Sequence, residues 1–151
     1  MKKCRSIFFV VVTLVLVGFA LMATPARARQ KKALHLIHSL KVIVRTGDDF
    51  GASTQAAVWF SLGPSYRWTL DTPGHPPFQN AAYDVFHLSP NGLCVEDIKW
   101  IRLRKSEGDD WLLHGLEVWI NGRPYYLNDH IDTWLSGTRL VWSAPVLPKG
   151  W

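Results

Sequence analysis

The sequence predicts an all-β protein built as an antiparallel β-sandwich, and three observations support this fold class. Apolar and polar residues alternate with period two in short runs rich in β-branched and aromatic residues. Between the runs lie segments of glycine, proline, asparagine and aspartate, which are the residues of turns. No segment after residue 28 has the pattern of an amphipathic helix. Short strands at such spacing are typical of a sandwich.

The first predicted strand covers residues 40–45, where Leu40, Val42 and Val44 alternate with Lys41, Ile43 and Arg45. The same signature recurs in six further runs, at residues 56–62, 66–70, 85–88, 98–103, 112–120 and 124–127. Asn121-Gly122 separates the last two runs and is the clearest two-residue hairpin turn in the chain.

These runs predict one domain, because no internal repeat, linker or low-complexity tract interrupts them. The predicted sandwich covers residues 36–142 and follows a short polar lead at residues 29–35. Residues 143–151 contain Pro145 and Pro148, which is too much proline for a central strand. We therefore expect residues 143–151 to form a C-terminal tail along the surface.

The N-terminus predicts export. A basic start, Met1-Lys2-Lys3-Cys4-Arg5, is followed by an apolar run at residues 7–23 and then by Ala26-Arg27-Ala28. This is the pattern of a signal peptide over residues 1–28, cleaved after Ala28, and it places the protein outside the cell or in the periplasm. The apolar run is just long enough to cross a bilayer, so an uncleaved membrane anchor is the alternative.

The charge of the chain argues against a nucleic-acid partner. The whole chain has a net charge of +5, but four of its 17 basic residues lie in residues 1–28, and 13 basic against 12 acidic residues remain, a net charge of +1. A nucleic-acid-binding domain needs a basic face. Within the predicted sandwich, the short basic run is Arg102-Leu103-Arg104-Lys105, which we expect on the solvated side of a strand.

No catalytic residue is predicted. The six histidines form no His-x-His or His-Glu-x-x-His pattern, and the chain has no Cys-x-x-Cys or Gly-x-Ser-x-Gly motif. Acidic residues such as Glu96, Asp97 and Glu117 could still pair in space as glycosidase carboxylates do. A small secreted hydrolase therefore stays an alternative to a non-catalytic protein.

Four segments between residues 40 and 134 carry a family resemblance. They are Val42-Ile43-Val44-Arg45-Thr46-Gly47-Asp48 with Gly51-Ala52-Ser53-Thr54-Gln55-Ala56-Ala57-Val58, Phe78 with Tyr83-Asp84-Val85-Phe86, Ile98-Lys99-Trp100-Ile101-Arg102-Leu103, and Trp111-Leu112-Leu113-His114-Gly115-Leu116-Glu117-Val118. In this order they resemble the PLAT domain, also called the lipoxygenase homology or LH2 domain, which is a β-sandwich of eight strands. The resemblance implies a non-catalytic module that docks on lipid membranes or on proteins.

Some members of this family bind calcium through loop oxygens, and calcium requires six to eight of them. The resemblance implies that Asp48, Asp49 and the carbonyl of Gly51 supply part of such a shell. Glu107, Asp109 and Asp110 could supply more if their loop lies at the same end of the sandwich. The alternative is a plain turn in which Asp48 caps backbone amides and Gly51 takes a positive φ.

Two departures from the family pattern weaken the calcium prediction. Ser53 stands where the family has its second glycine, and Gln55 stands where it has an aspartate. The loss of one carboxylate lowers the negative charge of a ligand set and therefore its affinity for calcium.

Two aromatic residues are predicted to bind a lipid membrane or an exported protein partner. Phe50 lies in a polar loop, and Trp151 ends the chain. By contrast, four tryptophans fall in strand patterns and are expected in the core: Trp59, Trp100, Trp111 and Trp119. Burying Phe50 in a bilayer would contribute roughly 1.5 to 3 kcal/mol, and micromolar binding requires about 8 kcal/mol. Stable docking therefore needs a second aromatic residue, bridging calcium or a protein partner. No pattern indicates an oligomeric state.

Overall fold

The structure is a computed structural model that describes residues 35–71 and 76–146. The predicted signal peptide, most of the lead and Trp151 lie outside the described residues. The described chain forms two antiparallel sheets packed as a sandwich, which confirms the predicted fold class. Its strands are β1 (Leu40–Thr46), β2 (Val58–Leu62), β3 (Tyr66–Leu70), β4 (Tyr83–Leu88), β5 (Trp100–Lys105), β6 (Trp111–Ile120), β7 (Arg123–Asn128), β8 (Thr133–Leu135) and β9 (Val141–Pro145).

The first sheet has the strand order β4-β1-β6-β7, with β8 also paired to β6, and the second has the order β3-β2-β5-β9. Burial alternates along β1 and β2, as the period-two pattern predicts. Val42 and Val44 of β1 and Phe60 of β2 are fully buried, and they meet in one core between the sheets. The hydrophobic faces of both sheets thus account for the stability of the sandwich.

The first seven strands correspond to the seven predicted runs, whereas β8 and β9 were not predicted. β8 has three residues and no alternating pattern of its own. β9 includes residues 143–145, which the sequence placed in the tail, so the sandwich extends three residues further than predicted. This strand lies at the edge of its sheet and pairs only with β5, a position that tolerates Pro145.

Outside the strands, Val95–Asp97 form one turn of 3-10 helix. Within residues 35–71 and 76–146, no helix is long and apolar enough to cross a membrane.

The two ends of the sandwich carry different connections. At one end, which we call the Phe50 end, the β1–β2 loop (residues 47–57) meets the β5–β6 loop (residues 106–110). At the opposite end, the Asn121 side chain accepts hydrogen bonds from the backbone N–H of His38 (2.7 Å) and Ser39 (3.1 Å). It also donates one to the carbonyl of Leu36 (3.0 Å). The β6–β7 turn thus fixes the segment that leads into β1.

Candidate functional site

The β1–β2 loop is anchored by backbone hydrogen bonds at its start and near its middle. The N–H of Thr46 donates to the carbonyl of Ala82 (3.0 Å), and the N–H of Gly47 donates to that of Leu112 (2.9 Å). Leu112 in turn donates its own N–H to the carbonyl of Ala52 (3.1 Å). Leu112, the second residue of β6, therefore holds both arms of the loop, and the tip of the loop projects beyond it.

Two glycines allow this path. A Cβ atom on Gly47 would lie 2.3 Å from Cδ2 of Leu112, so a larger residue here requires the Leu112 side chain or the loop to move. Gly51 has a φ of +77°, as the plain-turn alternative predicts, and the N–H of Ala52 donates to the carbonyl of Asp49 (3.0 Å). Residues 49–52 thus form a tight turn.

Phe50 lies at the tip of this turn and buries none of its surface, since its exposed fraction is 101%. The whole ring is therefore available for burial by a partner, which would contribute roughly 1.5 to 3 kcal/mol. The position of Phe50 is the one that the sequence predicted for a lipid or partner contact.

Two further exposed aromatic residues lie at the Phe50 end, and the sequence predicts neither of them as a contact residue. Tyr83 opens β4 beside Ala82 and is 59% exposed. Trp134 of β8 pairs with Leu112 of β6 and is 37% exposed. The sequence does not indicate that Trp134 lies at this end of the sandwich. Its position depends on its pairing with Leu112, and the register of that pairing is visible only in the structure.

The β5–β6 loop packs directly on the β1–β2 loop. The carboxylate of Asp109 accepts hydrogen bonds from the Thr54 hydroxyl (2.5 Å) and from the N–H of Gln55 (2.9 Å). Ser106 and Ala57 exchange two more, from the N–H of Ser106 to the Ala57 carbonyl (2.8 Å) and from the N–H of Ala57 to the Ser106 hydroxyl (3.1 Å). The two loops that carry the predicted calcium ligands therefore do lie at the same end.

Lys105 holds the β5–β6 loop from inside the sandwich. Its exposed fraction is 0%, and its ammonium donates hydrogen bonds to the carbonyls of Asp109 (2.5 Å) and Ser106 (3.1 Å). This corrects the prediction that the basic run lies on the solvated side of its strand. Arg102 and Arg104 are exposed, but Lys105 is on the inward face of β5, opposite Val58. The period of two from Leu103 places it there.

The same contacts act on the pKa of Asp109. Partial burial alone would raise this pKa, but the hydrogen bonds from Thr54 and Gln55 and the charge of Lys105 outweigh it, and the pKa lies below its ordinary value. The carboxylate is thus ionised at neutral pH and held as an acceptor between the two loops.

The predicted calcium ligands are not gathered into a shell around one point. Within the described residues, no three histidine, cysteine, aspartate or glutamate side chains come together as a metal-binding group. Both carboxylate oxygens of Asp109 already accept hydrogen bonds, and the carbonyl of Asp109 faces the Lys105 ammonium. Asp48, Asp49 and Asp110 are exposed. This donor set does not fit a cation that requires six to eight oxygens.

A cleft of about 470 Å³ opens beside the β1–β2 loop, between residues 54–57 and the residues around Asp71 and Phe78. Phe78 is itself fixed, because its N–H donates to the buried Asp84 carboxylate (2.8 Å) and its carbonyl accepts from the N–H of Thr54 (3.1 Å). The wall of the cleft therefore belongs to the same hydrogen-bonded frame as the loop.

The acidic residues considered for a hydrolase have other partners. The carboxylate of Glu96 contacts Nδ1 of His35 (2.7 Å), and that of Glu117 accepts from the Trp119 indole N–H (2.8 Å). Burial alone would raise the pKa of Glu96, but the hydrogen bonds from His35 prevail and lower it. A catalytic acid requires the opposite shift.

The fold is shared with solved proteins. The Clostridium perfringens alpha-toxin from an avian strain matches with a TM-score of 0.63 and 23% identity over 80% of this chain and 34% of the toxin. A coral 8R-lipoxygenase, described as activated by calcium through a C2-like domain, matches with a TM-score of 0.53 and 20% identity over 73% of this chain and 17% of the enzyme. These likenesses confirm the resemblance to the PLAT fold.

A relative by sequence supports the same relationship. The phospholipase C of Clostridium novyi is 29% identical over 113 residues, which is 68% of this chain and 28% of that enzyme. No family model matches the chain. The chain thus spans about a third or less of the toxin and phospholipase that it resembles.

Proposed function

We propose that this PLAT-like sandwich is an exported, non-catalytic binding module that docks on lipid membranes through its Phe50 end. The observation that carries the proposal is the complete exposure of Phe50 at the tip of a loop whose base is held by Leu112. An apolar ring presented on a fixed loop inserts without a large ordering cost. The likeness to only one part of a phospholipase and a toxin supports a binding role.

The chemistry of the Phe50 end suits a shallow contact with a bilayer. Phe50 contributes roughly 1.5 to 3 kcal/mol on burial, and Tyr83 and Trp134 add partly exposed rings of the kind that lie at headgroup level. Arg45 and Arg104 occupy the next-to-last positions of β1 and β5 at this end. Each basic residue adds on the order of 1 kcal/mol against an anionic leaflet.

Vesicle co-sedimentation tests the proposal. We expect the purified protein to sediment with phosphatidylcholine vesicles and more strongly with vesicles that also contain phosphatidylserine. Phe50→Ala should weaken binding by about tenfold or more, because it removes the most exposed apolar ring.

Leu36→Ala is the matched control, since Leu36 is 41% exposed and lies at the opposite end. This variant should bind vesicles as the wild type does. If the wild type binds no vesicle of either composition, membrane docking is wrong, and capture of an exported protein partner by the Phe50 end becomes the better explanation. Equal losses in both variants would also contradict the assignment of this end.

A further inference from the structure

We propose that the ammonium of Lys105 takes the place of a bound calcium ion in this chain, so that the Phe50 loop is held ready for docking without calcium. The inference rests on the proposed membrane docking and deepens it by stating how the docking loop is controlled. The observation behind it is the pair of backbone carbonyls that the Lys105 ammonium contacts.

The surroundings of Lys105 are those of a cation site. A charged side chain with an exposed fraction of 0% must find polar partners, and Lys105 finds the carbonyls of Ser106 and Asp109. Carbonyl oxygens of a loop that converge on one positive charge are also the oxygens that a calcium site uses. Here the positive charge is supplied by the chain, and a divalent ion at the same point would meet strong repulsion from it.

The lysine organises both loops. Its contact with the carbonyl of Asp109 fixes that residue, whose carboxylate then accepts hydrogen bonds from Thr54 and Gln55. Ser106, the second partner of the ammonium, exchanges two hydrogen bonds with Ala57. The chain of contacts therefore leads from one buried charge to three positions of the β1–β2 loop that carries Phe50.

The residue at position 55 agrees with this arrangement. The backbone N–H of Gln55 supplies the contact to Asp109, and its side chain carries no charge. A second carboxylate there would raise the demand for positive charge beyond what one ammonium provides. Lys105 is thus a positioning residue for the docking loop, whereas Phe50 makes the contact.

The test compares Lys105→Met with Arg104→Met, two neighbours on β5 that differ in face. Both substitutions remove one positive charge, but Arg104 is exposed and Lys105 is buried. We expect Lys105→Met to speed amide hydrogen exchange in residues 52–57 by about tenfold or more, while residues of β1 and β6 keep the wild-type rates. Arg104→Met should leave the exchange of residues 52–57 unchanged.

The wild-type protein provides the second measurement, which stays decisive if Lys105→Met fails to fold. Its melting temperature and the exchange of residues 47–57 should be the same in 1 mM calcium chloride and in 1 mM EDTA. Its vesicle binding should be equally insensitive. Calcium that raises the melting temperature of the wild type, with loss of that rise in Asp48→Asn, would overturn the proposal.

The exchange and melting results do not depend on vesicles, so they separate this inference from the proposed function. A wild type that binds no vesicles but shows no calcium response, with the expected effect of Lys105→Met, refutes docking and supports the lysine. If residues 52–57 of Lys105→Met exchange their amide hydrogens at the wild-type rate, the proposed role of Lys105 is wrong, whatever the result with vesicles.

Discussion

Single residues decide how the Phe50 loop is presented. Gly47 lets the chain pass against Leu112, and Gly51 turns it back with a positive φ, so that Phe50 is left at the tip. The sequence predicted the turn and the contact role of Phe50, because a single aromatic residue between two acidic residues and a glycine can be recognised from the sequence. It could not show that Gly47 faces Leu112, since those residues are far apart in the chain and meet only through the sheet.

Substitution of Gly47 tests this close approach. Gly47→Ala places a Cβ within 2.3 Å of Leu112 Cδ2, so the side chain or the loop must move. We expect a loss of about 1 to 3 kcal/mol in the free energy of unfolding, measured by urea titration. Leu112→Ala in the same background removes the clashing atoms, and the double variant should be less destabilised than the sum of the single changes. Strict additivity would contradict the steric explanation.

At the scale of elements, β5 shows where a pattern of charges misleads. The run from Arg102 to Lys105 has the composition of a solvated strand, and Arg102 and Arg104 are solvated. The strand period, however, places Lys105 in line with the buried Ile101 and Leu103. The sequence contained this information, but the partners of the ammonium could not be predicted, because they are carbonyls of a loop whose path only the structure shows.

Acid should weaken the link between the β5–β6 and β1–β2 loops through Asp109. The pKa of this carboxyl is lowered in the folded protein, so its contribution is complete above its ordinary value of 3.8 and is lost as the pH falls through the lower, folded value. The wild-type melting temperature should therefore drop below about pH 4 more steeply than that of Asp109→Asn.

The control for the acid prediction is Asp110→Asn: both carboxylates are exposed, but it is that of Asp109 that accepts hydrogen bonds from Thr54 and Gln55. Melting curves between about pH 2 and pH 6 should give Asp110→Asn the wild-type slope. An Asp109→Asn variant that follows the wild type over this range would show that the carboxylate does not hold the two loops together.

For the whole molecule, the fold was far more predictable than the site. Seven alternating runs and their turns predicted the sandwich, because a strand with one buried face has apolar residues at every second position. The sequence did not predict β8 or β9. Thr133–Leu135 is too short to show a period, and Pro145 argues against a central strand although an edge strand tolerates it. The arrangement of the loops at the Phe50 end depends on the register between paired strands, and this register cannot be derived from the sequence alone.

The extent of the match and the position of the exposed aromatic rings both bear on the role of the protein. The chain matches about a third of the alpha-toxin and less of the phospholipase, and the matched part is a sandwich with its exposed aromatic rings at one end. In the proposed docking, the Phe50 end faces the membrane and the opposite end is directed away from it. Membrane docking therefore predicts a fixed orientation as well as an affinity.

The most direct measurement of that orientation is the emission of an environment-sensitive dye attached at one end or the other. Phe50→Cys and Leu36→Cys each place a labelling site at an exposed position. On addition of phosphatidylcholine vesicles containing phosphatidylserine, the dye at position 50 should shift to the blue and that at position 36 should not, without any requirement for calcium. A shift at position 36 alone, or none at either position, would contradict docking through the Phe50 end.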